Sequence, residues 1–269
     1  MPPPPGPPVD PALLDLAVAV AREAGELTLG WFQARDLAVD RKADGTPVTE
    51  ADRSAERLVR ARLAEHAPGD GVLGEEEPEA EGTTGRRWIV DPIDGTKAFT
   101  RGVPLYSTLL ALDDEHGPAL GVIVLPALGE VVYAGRGRGC WTGPDRPARV
   151  STTASVDGAY LMASGYSHWD DGALLAVKHA GMVLRTWGDG YGYALVATGR
   201  ADAMVDPVVE RYDVAAMPVI LAEAGGRFSA VDGREGAGGG SGVATNGLIH
   251  DELLALLAPG LPGGSDPAV

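Results

Sequence analysis

An apolar run, Trp88-Ile89-Val90, delivers two aspartates three residues apart into a glycine turn, in the stretch WIVDPIDGTKAF from Trp88 to Phe99. Asp91 and Asp94 converge where a strand gives way to a turn. Two carboxylates held close repel unless a proton or a cation lies between them. A set of hard oxygen donors suits a divalent metal, and the C-terminal end of a strand is a common place for a ligand in α/β proteins. Pro92 stiffens the turn and leaves the Ile93 carbonyl as a further oxygen ligand. Gly95-Thr96 then offers backbone N–H groups and a hydroxyl at a helix start, where the dipole favours an anion. Metal-holding acids beside a donor-rich turn are what hydrolysis of a phosphate ester requires.

Other carboxylates fall at the ends of elements. Glu75, Glu76 and Glu77 form an acidic run directly after the short strand Val72-Leu73. Such a run reads either as a solvated loop or as a source of one bridging ligand, for which Glu75, nearest the strand, is the candidate. Thr49-Glu50-Ala51-Asp52 matches a capping box, in which Asp52 reads first as a helix cap. Asp213, ahead of Val214-Ala215-Ala216, reads as an N-cap that can still aim an oxygen at a metal. The five histidines have no ligand-like spacing, the single Cys140 excludes an internal disulfide or a Cys-based zinc cluster, and no nucleophilic-serine or Walker motif is present.

Hydrophobic periodicity predicts a first helix from Asp10-Pro11 through Trp31, a polar loop at Arg41 to Pro47, and a second helix from about Thr49. Apolar runs at Val72-Leu73, Trp88 to Val90, Leu105 to Leu112, Ala119 to Leu125 and Glu130 to Ala134 predict a largely antiparallel sheet. The second half alternates strand and helix in an α/β pattern: strands at Tyr160 to Ala163, Met182 to Arg185, Ala201 to Val205 and Val243 to Thr245, with helices at Asp170 to Ala180, Tyr191 to Ala197, Val214 to Ala224 and Leu248 to Leu257. Gly236 to Gly242 reads as a mobile loop. The expected organisation is a disordered proline-rich leader (1–9), an N-terminal sublobe carrying the metal motifs (10–150), a C-terminal α/β sublobe with the substrate pocket (151–258) and a flexible tail (259–269). The formal charge of −16 on 269 residues disfavours nucleic acid and anionic membranes as partners. No apolar run approaches the roughly 18 residues of a membrane span, and the first residues lack the pattern of a signal peptide.

These motifs resemble the inositol monophosphatase-like family of metal-dependent phosphatases. The resemblance rests on Lys42 with Thr49 to Asp52, on Gly74-Glu75-Glu76, on Trp88 to Thr96, and on Tyr212 to Ala216 with Glu223 to Gly226, and it spans about residues 12 to 257. The wording of GDGVLGEE, DPIDGTKAFTRGVP, TWGDGYGYALVATGRADAMVDP and GGSGVATNGLIHDELL is most similar to the histidinol-phosphatase branch. The resemblance implies an α/β (α+β) layered α-β-α-β-α sandwich of the inositol monophosphatase and fructose-1,6-bisphosphatase type, a cytoplasmic homodimer, and two to three Mg²⁺ per subunit. Glu75, Asp91 and the Ile93 carbonyl would hold one ion, Asp91, Asp94 and Asp213 a second, and Glu75 would share a third. Gly95 and Thr96 would bind the phosphate, while Thr96 with Asp52 would position the attacking water. Arg185, Trp187, Asp189, Asp206 and Asn246 would form the leaving-group pocket, with Asp189 and Asp206 facing the cationic groups of L-histidinol phosphate, an intermediate of histidine biosynthesis. Packing is the competing reading for Trp187, Tyr191 and Tyr193, and a turn is the competing reading for Asp206. Gly190 departs from the branch, where a larger residue is expected. The alternatives are a related inositol or sugar phosphatase, or a metal- and phosphate-binding regulatory module. Loss of Glu75, Thr96 or Asp52 would mark the latter, and all three are present.

Overall fold

The computed structural model describes residues 6–42, 45–144 and 146–258. Residues 1–5 of the expected leader and the whole of the 259–269 tail lie outside the described residues. Residues 7–9 are not a free leader: the Val9 amide donates to the Arg136 carbonyl (3.0 Å), Arg136 Nε to the Pro7 carbonyl (2.8 Å) and Arg138 Nε to the Val9 carbonyl (2.8 Å).

Helix α1 (Pro11–Thr28) starts at Asp10, whose carboxylate accepts from the Ala12 amide, and ends before the expected Trp31. The Thr28 hydroxyl bonds back to the Gly25 carbonyl and to Tyr106 OH, and Trp31 and Phe32 turn down onto the Phe99 and Tyr106 rings. A small antiparallel hairpin, β1 (Val39–Arg41) and β2 (Pro47–Thr49), stands at the expected polar loop and leads into α2 (Glu50–His66). Next come β3 (Gly71–Gly74), β4 (Arg87–Asp94), the single-turn α3 (Thr96–Thr100), β5 (Ser107–Asp114), β6 (Gly117–Leu125), β7 (Glu130–Gly135), β8 (Gly139–Thr142) and β9 (Arg146–Pro147). They form one seven-stranded sheet in that order, parallel between β3 and β4 and antiparallel elsewhere.

The second half supplies β10 (Tyr160–Met162), α4 (Asp171–His179), β11 (Val183–Arg185), α5 (Asp189–Ala197), β12 (Ala203–Asp206), α6 (Arg211–Val214), α7 (Met217–Ala224), β13 (Arg227–Ser229), β14 (Gly242–Thr245) and α8 (His250–Leu257). The five-stranded sheet runs β11-β10-β12-β14-β13. Where one helix was expected over Val214 to Ala224 there are two, because Pro218 has no N–H to continue the first and sits instead in the opening turn of the second. The glycine-rich loop expected to be mobile is tied down, with the Gly240 carbonyl accepting from the Val209 amide and Ser241 Oγ from the Val231 amide.

The strand periodicity explains the layering. Trp88, Val90, Leu110, Leu112, Val122 and Val124 face α1 and α2 in one core, whereas Ile89, Leu109, Ala111, Ile123 and Leu125 face α5 and α7 in another. That second core continues into Met204, Phe228 and Ala244 of the smaller sheet, so α5 and α7 lie between the two sheets. Helices α4 and α8 cover the far side of the smaller sheet through Ala173, Val177, Leu253 and Leu257. The order is therefore α1/α2, sheet, α5/α7, sheet, α4/α8, the expected α-β-α-β-α sandwich. No helix among the described residues is long and apolar enough to cross a membrane.

His250 locks α8 to the small sheet. Its ring is buried and bonds Ser229 Oγ and Thr245 Oγ1, each at 2.9 Å, and burial together with the Arg227 charge lowers its pKa from 6.5 to about 4. The unfolded chain takes up this proton first as pH falls, so stability is lost between pH 6.5 and 4. The expected loss from this residue is about 3 kcal/mol, read as a steeper fall in unfolding free energy from pH 7 to 4.5 for the wild type than for His250→Gln. Parallel curves would show that His250 does not set the slope.

Candidate active site

Strand β4 carries the first acids, and a bulge aims them. Asp91 pairs with Leu109 and Asp94 with Ser107, so three steps on β4 match two on β5. Residues 91 and 94 of a regular strand would point to opposite faces; the extra residue turns both to one side. Pro92 sits at the bulge, where it has no amide to offer, and its carbonyl accepts from Thr108 Oγ1. Asp213, on α6, completes a group in which one carboxylate oxygen from each of Asp91, Asp94 and Asp213 lies within 4.8 Å of the others. Asp213 is not an N-cap as expected but the third residue of its helix, with Oδ2 accepting from the Glu210 amide.

The three acids are poorly solvated. Burial comes first, then the charges of Glu75, Asp94 and Asp213, in pushing the Asp91 carboxyl well above the carboxylate range. Burial and the charges of Asp189 and Asp213 do the same to Asp94, against the donors Ser107 Oγ (2.6 Å) and Gly190 N (2.5 Å) on its Oδ2. Asp213 is raised to about 7, chiefly by burial. A hard oxygen set that holds protons this tightly, with no Lys or Arg bonded to any of the three acids among the described residues, fits a metal ion. Glu75 sits against Asp91 but outside the closest trio, its carboxylate held by Lys42 Nζ at 2.7 Å, and the same ammonium grips Glu76 at 2.7 Å. The Ile93 carbonyl lines the same cavity and accepts the Thr96 hydroxyl at 3.0 Å.

Asp52 is the helix cap that its capping box predicts. Its Oδ2 accepts from the Thr49 amide (2.8 Å) and hydroxyl (2.6 Å) in a complete capping box, whereas Oδ1 is buried with no partner. Thr96 gives its hydroxyl to the Ile93 carbonyl.

Glu75, Asp91, Ile93, Asp94, Gly95, Thr96, Asp189, Asp206 and Asp213 open together on a cavity of ≈ 510 Å³ between the two sheets. Gly95 is left-handed (φ +82°), and a Cβ there would meet Asp189 Oδ2 at 2.9 Å. Asp189 begins α5, itself at φ +53°, with its amide on Ser164 Oγ.

Four expected pocket residues are corrected. Asn246 is absent from the cavity wall because its amide donates to Ser151 Oγ and the Thr153 carbonyl while its oxygen accepts from the Leu248 amide. Arg185 and Trp187 also lie off the wall, on the edge strand and beyond it, with the guanidinium 5.8 Å from the Trp187 and Tyr160 rings. Asp206 does line the cavity, but its oxygens are taken by the Ser164 amide, Ser164 Oγ and Tyr193 OH, so it braces the wall and is not free to pair with a cation. Gly190 has no room to be larger: a Cβ would lie 2.2 Å from Ser107 Oγ. Ser107 and Ser164 escaped the sequence reading, since single serines beside strand ends look like turn residues.

The two-sheet fold thus encloses an acid-lined cavity whose residues fit a metal. The chain belongs to the inositol monophosphatase family, which matches residues 11–260. It is 46% identical over 255 residues to the histidinol-phosphatase of Mycobacterium tuberculosis, covering 92% of this chain and 98% of that one. It is 43% identical to the histidinol-phosphatase of Chlorobaculum parvum, covering 92% and 97%. The crystal structure of the extragenic suppressor protein SuhB from Bartonella henselae superposes with a TM-score of 0.83 at 27% identity, covering 91% of this chain and 98% of that one.

If the trio repels itself without a cation, Asp91→Asn is at least as stable as the wild type in chelator, since the amide oxygen still accepts from the Ile93 amide. A divalent cation at a hundredfold its Kd should raise the wild-type melting temperature by about 5–10 °C and the variant's much less. Equal shifts in calorimetry would remove Asp91 from the metal set.

Proposed function

We propose that this chain is a Mg²⁺-dependent phosphomonoesterase that releases L-histidinol and phosphate from L-histidinol phosphate. The observation that carries the substrate is Asp189, whose carboxylate lies on the cavity wall against Gly95, one residue beyond the acid trio. An ester anchored by its phosphate at Gly95-Thr96 would bring an ammonium or imidazolium on its alcohol portion within reach of that carboxylate. A charge-assisted hydrogen bond then selects it over a neutral polyol. The similarity to two histidinol-phosphatases supports the same reading.

Asp91, Asp94 and Asp213 would hold Mg²⁺, with Glu75 and the Ile93 carbonyl adjoining. When bound, the ion supplies positive charge for the phosphate and Lewis acidity toward water. The residues do the rest. Gly95 and Thr96, at the start of α3, donate to the phosphate oxygens. Water attacks phosphorus in line as the ester P–O bond breaks, and the departing alcohol takes up a proton. Asp52 does not itself line the cavity, but its Oδ1, buried, unpartnered and near enough to Glu75 to feel its charge, would receive the proton released by water. Lys42 bridges Glu75 and Glu76: its two carboxylate bonds outweigh burial and hold the ammonium above its ordinary pKa.

The test is phosphate release from L-histidinol phosphate and inositol 1-phosphate at equal concentration, with and without Mg²⁺. Histidinol phosphate should be preferred and turnover should need the ion. Asp189→Asn tolerates the same left-handed backbone and should cut kcat/KM for histidinol phosphate by about 10–100-fold while leaving inositol phosphate nearly unchanged. Preference for inositol phosphate, or an equal loss on both substrates, would overturn the substrate assignment.

A further inference from the structure

Helix α2 carries a second buried acid, Glu56, one turn after Asp52, and it is spent on neither a metal nor the cavity. Its carboxylate is fully buried. Oε2 accepts from the Glu76 amide at 2.8 Å, while Oε1 accepts from the Glu77 amide at 3.2 Å and from Arg60 Nε at 2.9 Å. Arg60, one turn further along, donates to the Glu77 carbonyl at 3.1 Å. Gly74 is the residue that permits this approach, because a Cβ there would stand 2.0 Å from Glu56 Oε1.

We infer that Glu56 is a positioning residue that sets Glu75 against the acid trio and in register with Asp52; the inference rests on the phosphatase reading above. Glu75 follows the last residue of β3, and the two amides after it are clamped by one carboxylate, so its backbone is held on both sides. Lys42 then directs the side chain. Asp52, Glu56 and Arg60 are spaced four residues apart and lie on one face of α2. The oxygen meant for water's proton and the clamp for the bridging acid are therefore carried by one rigid rod. A charged acceptor suits the task because it takes two backbone donors and a guanidinium at once; an amide offers a single oxygen and turns its NH₂ toward an N–H.

Magnesium titration of Glu56→Gln, by calorimetry and by phosphate release, tests this. Partners that orient a metal ligand typically contribute about 10–100-fold to affinity, so the Mg²⁺ midpoint should rise about tenfold in both measurements while KM for the ester stays within about twofold. Arg60→Gln, milder because the carboxylate remains, should move the midpoint in the same direction by less, and it serves if Glu56→Gln does not fold. Arg62→Gln, on the same helix as Glu56, removes an ion pair to Glu23 of α1; it controls for lost stability and should leave the midpoint in place. Wild-type Mg²⁺ dependence with an unmoved midpoint in both Glu56→Gln and Arg60→Gln, or an equal shift in Arg62→Gln, overturns the positioning role alone. A wild type that neither binds nor needs Mg²⁺ overturns the phosphatase reading with it.

Discussion

Repulsion among buried carboxylates is the constraint around which the cavity is arranged. Asp91 and Asp94 are almost wholly shielded from water, Asp213 faces them, and Glu75 and Asp189 add their charges. Desolvated like charges are costly together, so the fold surrounds them with donors that cannot retreat. The Ile93 amide serves Asp91, Ser107 and the Gly190 amide serve Asp94, the Glu210 amide serves Asp213, and Lys42 serves Glu75. Most of these are backbone groups fixed by a bulge or a helix start. The acids remain in place and poised for a cation because the surrounding peptide groups are already oriented.

Much of the site was legible because its chemistry is local. Asp91, Asp94, Gly95 and Thr96 are consecutive or nearly so, and Glu75 and Asp213 follow strand or helix starts that hydrophobic periodicity locates. The apolar runs around Ile89, Leu109 and Ile123 likewise pointed to the antiparallel sheet, whereas the layering came only with the family resemblance. The bulge that turns Asp94 toward Asp91 was not legible, since periodicity of two would separate them. Strands β8, β9 and β13, at or next to the sheet edges, are short and carry glycine, proline or polar residues, so they lack an apolar run to betray them. Arg185, Trp187 and Asn246 sit in suggestive surroundings, but which wall a side chain faces depends on the register of the small sheet and on partners such as Ser151, more than ninety residues away in sequence.

The brace around Asp206 shows how a motif residue changes its role once contacts are known. An acid at the end of β12 invites pairing with a cationic substrate. In the fold it joins the Ser164 amide and hydroxyl to Tyr193, and Ser164 in turn receives the Asp189 amide. Asp206 therefore acts on the cavity through Ser164, fixing where α5 begins and so where Asp189 projects.

That chain of contacts continues into the acid trio. The residue after Asp189 is Gly190, whose amide lies on Asp94 Oδ2 and whose missing side chain leaves room for Ser107. One helix start thus contributes Asp189 to the cavity wall and a hydrogen bond to a candidate metal ligand. A larger residue at position 190 would have to displace Ser107 or Asp94, so it would alter the metal site along with the pocket. Asp189 on the cavity wall and the Gly190 amide on Asp94 are neighbours in the chain, so added bulk at position 190 presses on the wall and on the acid trio together.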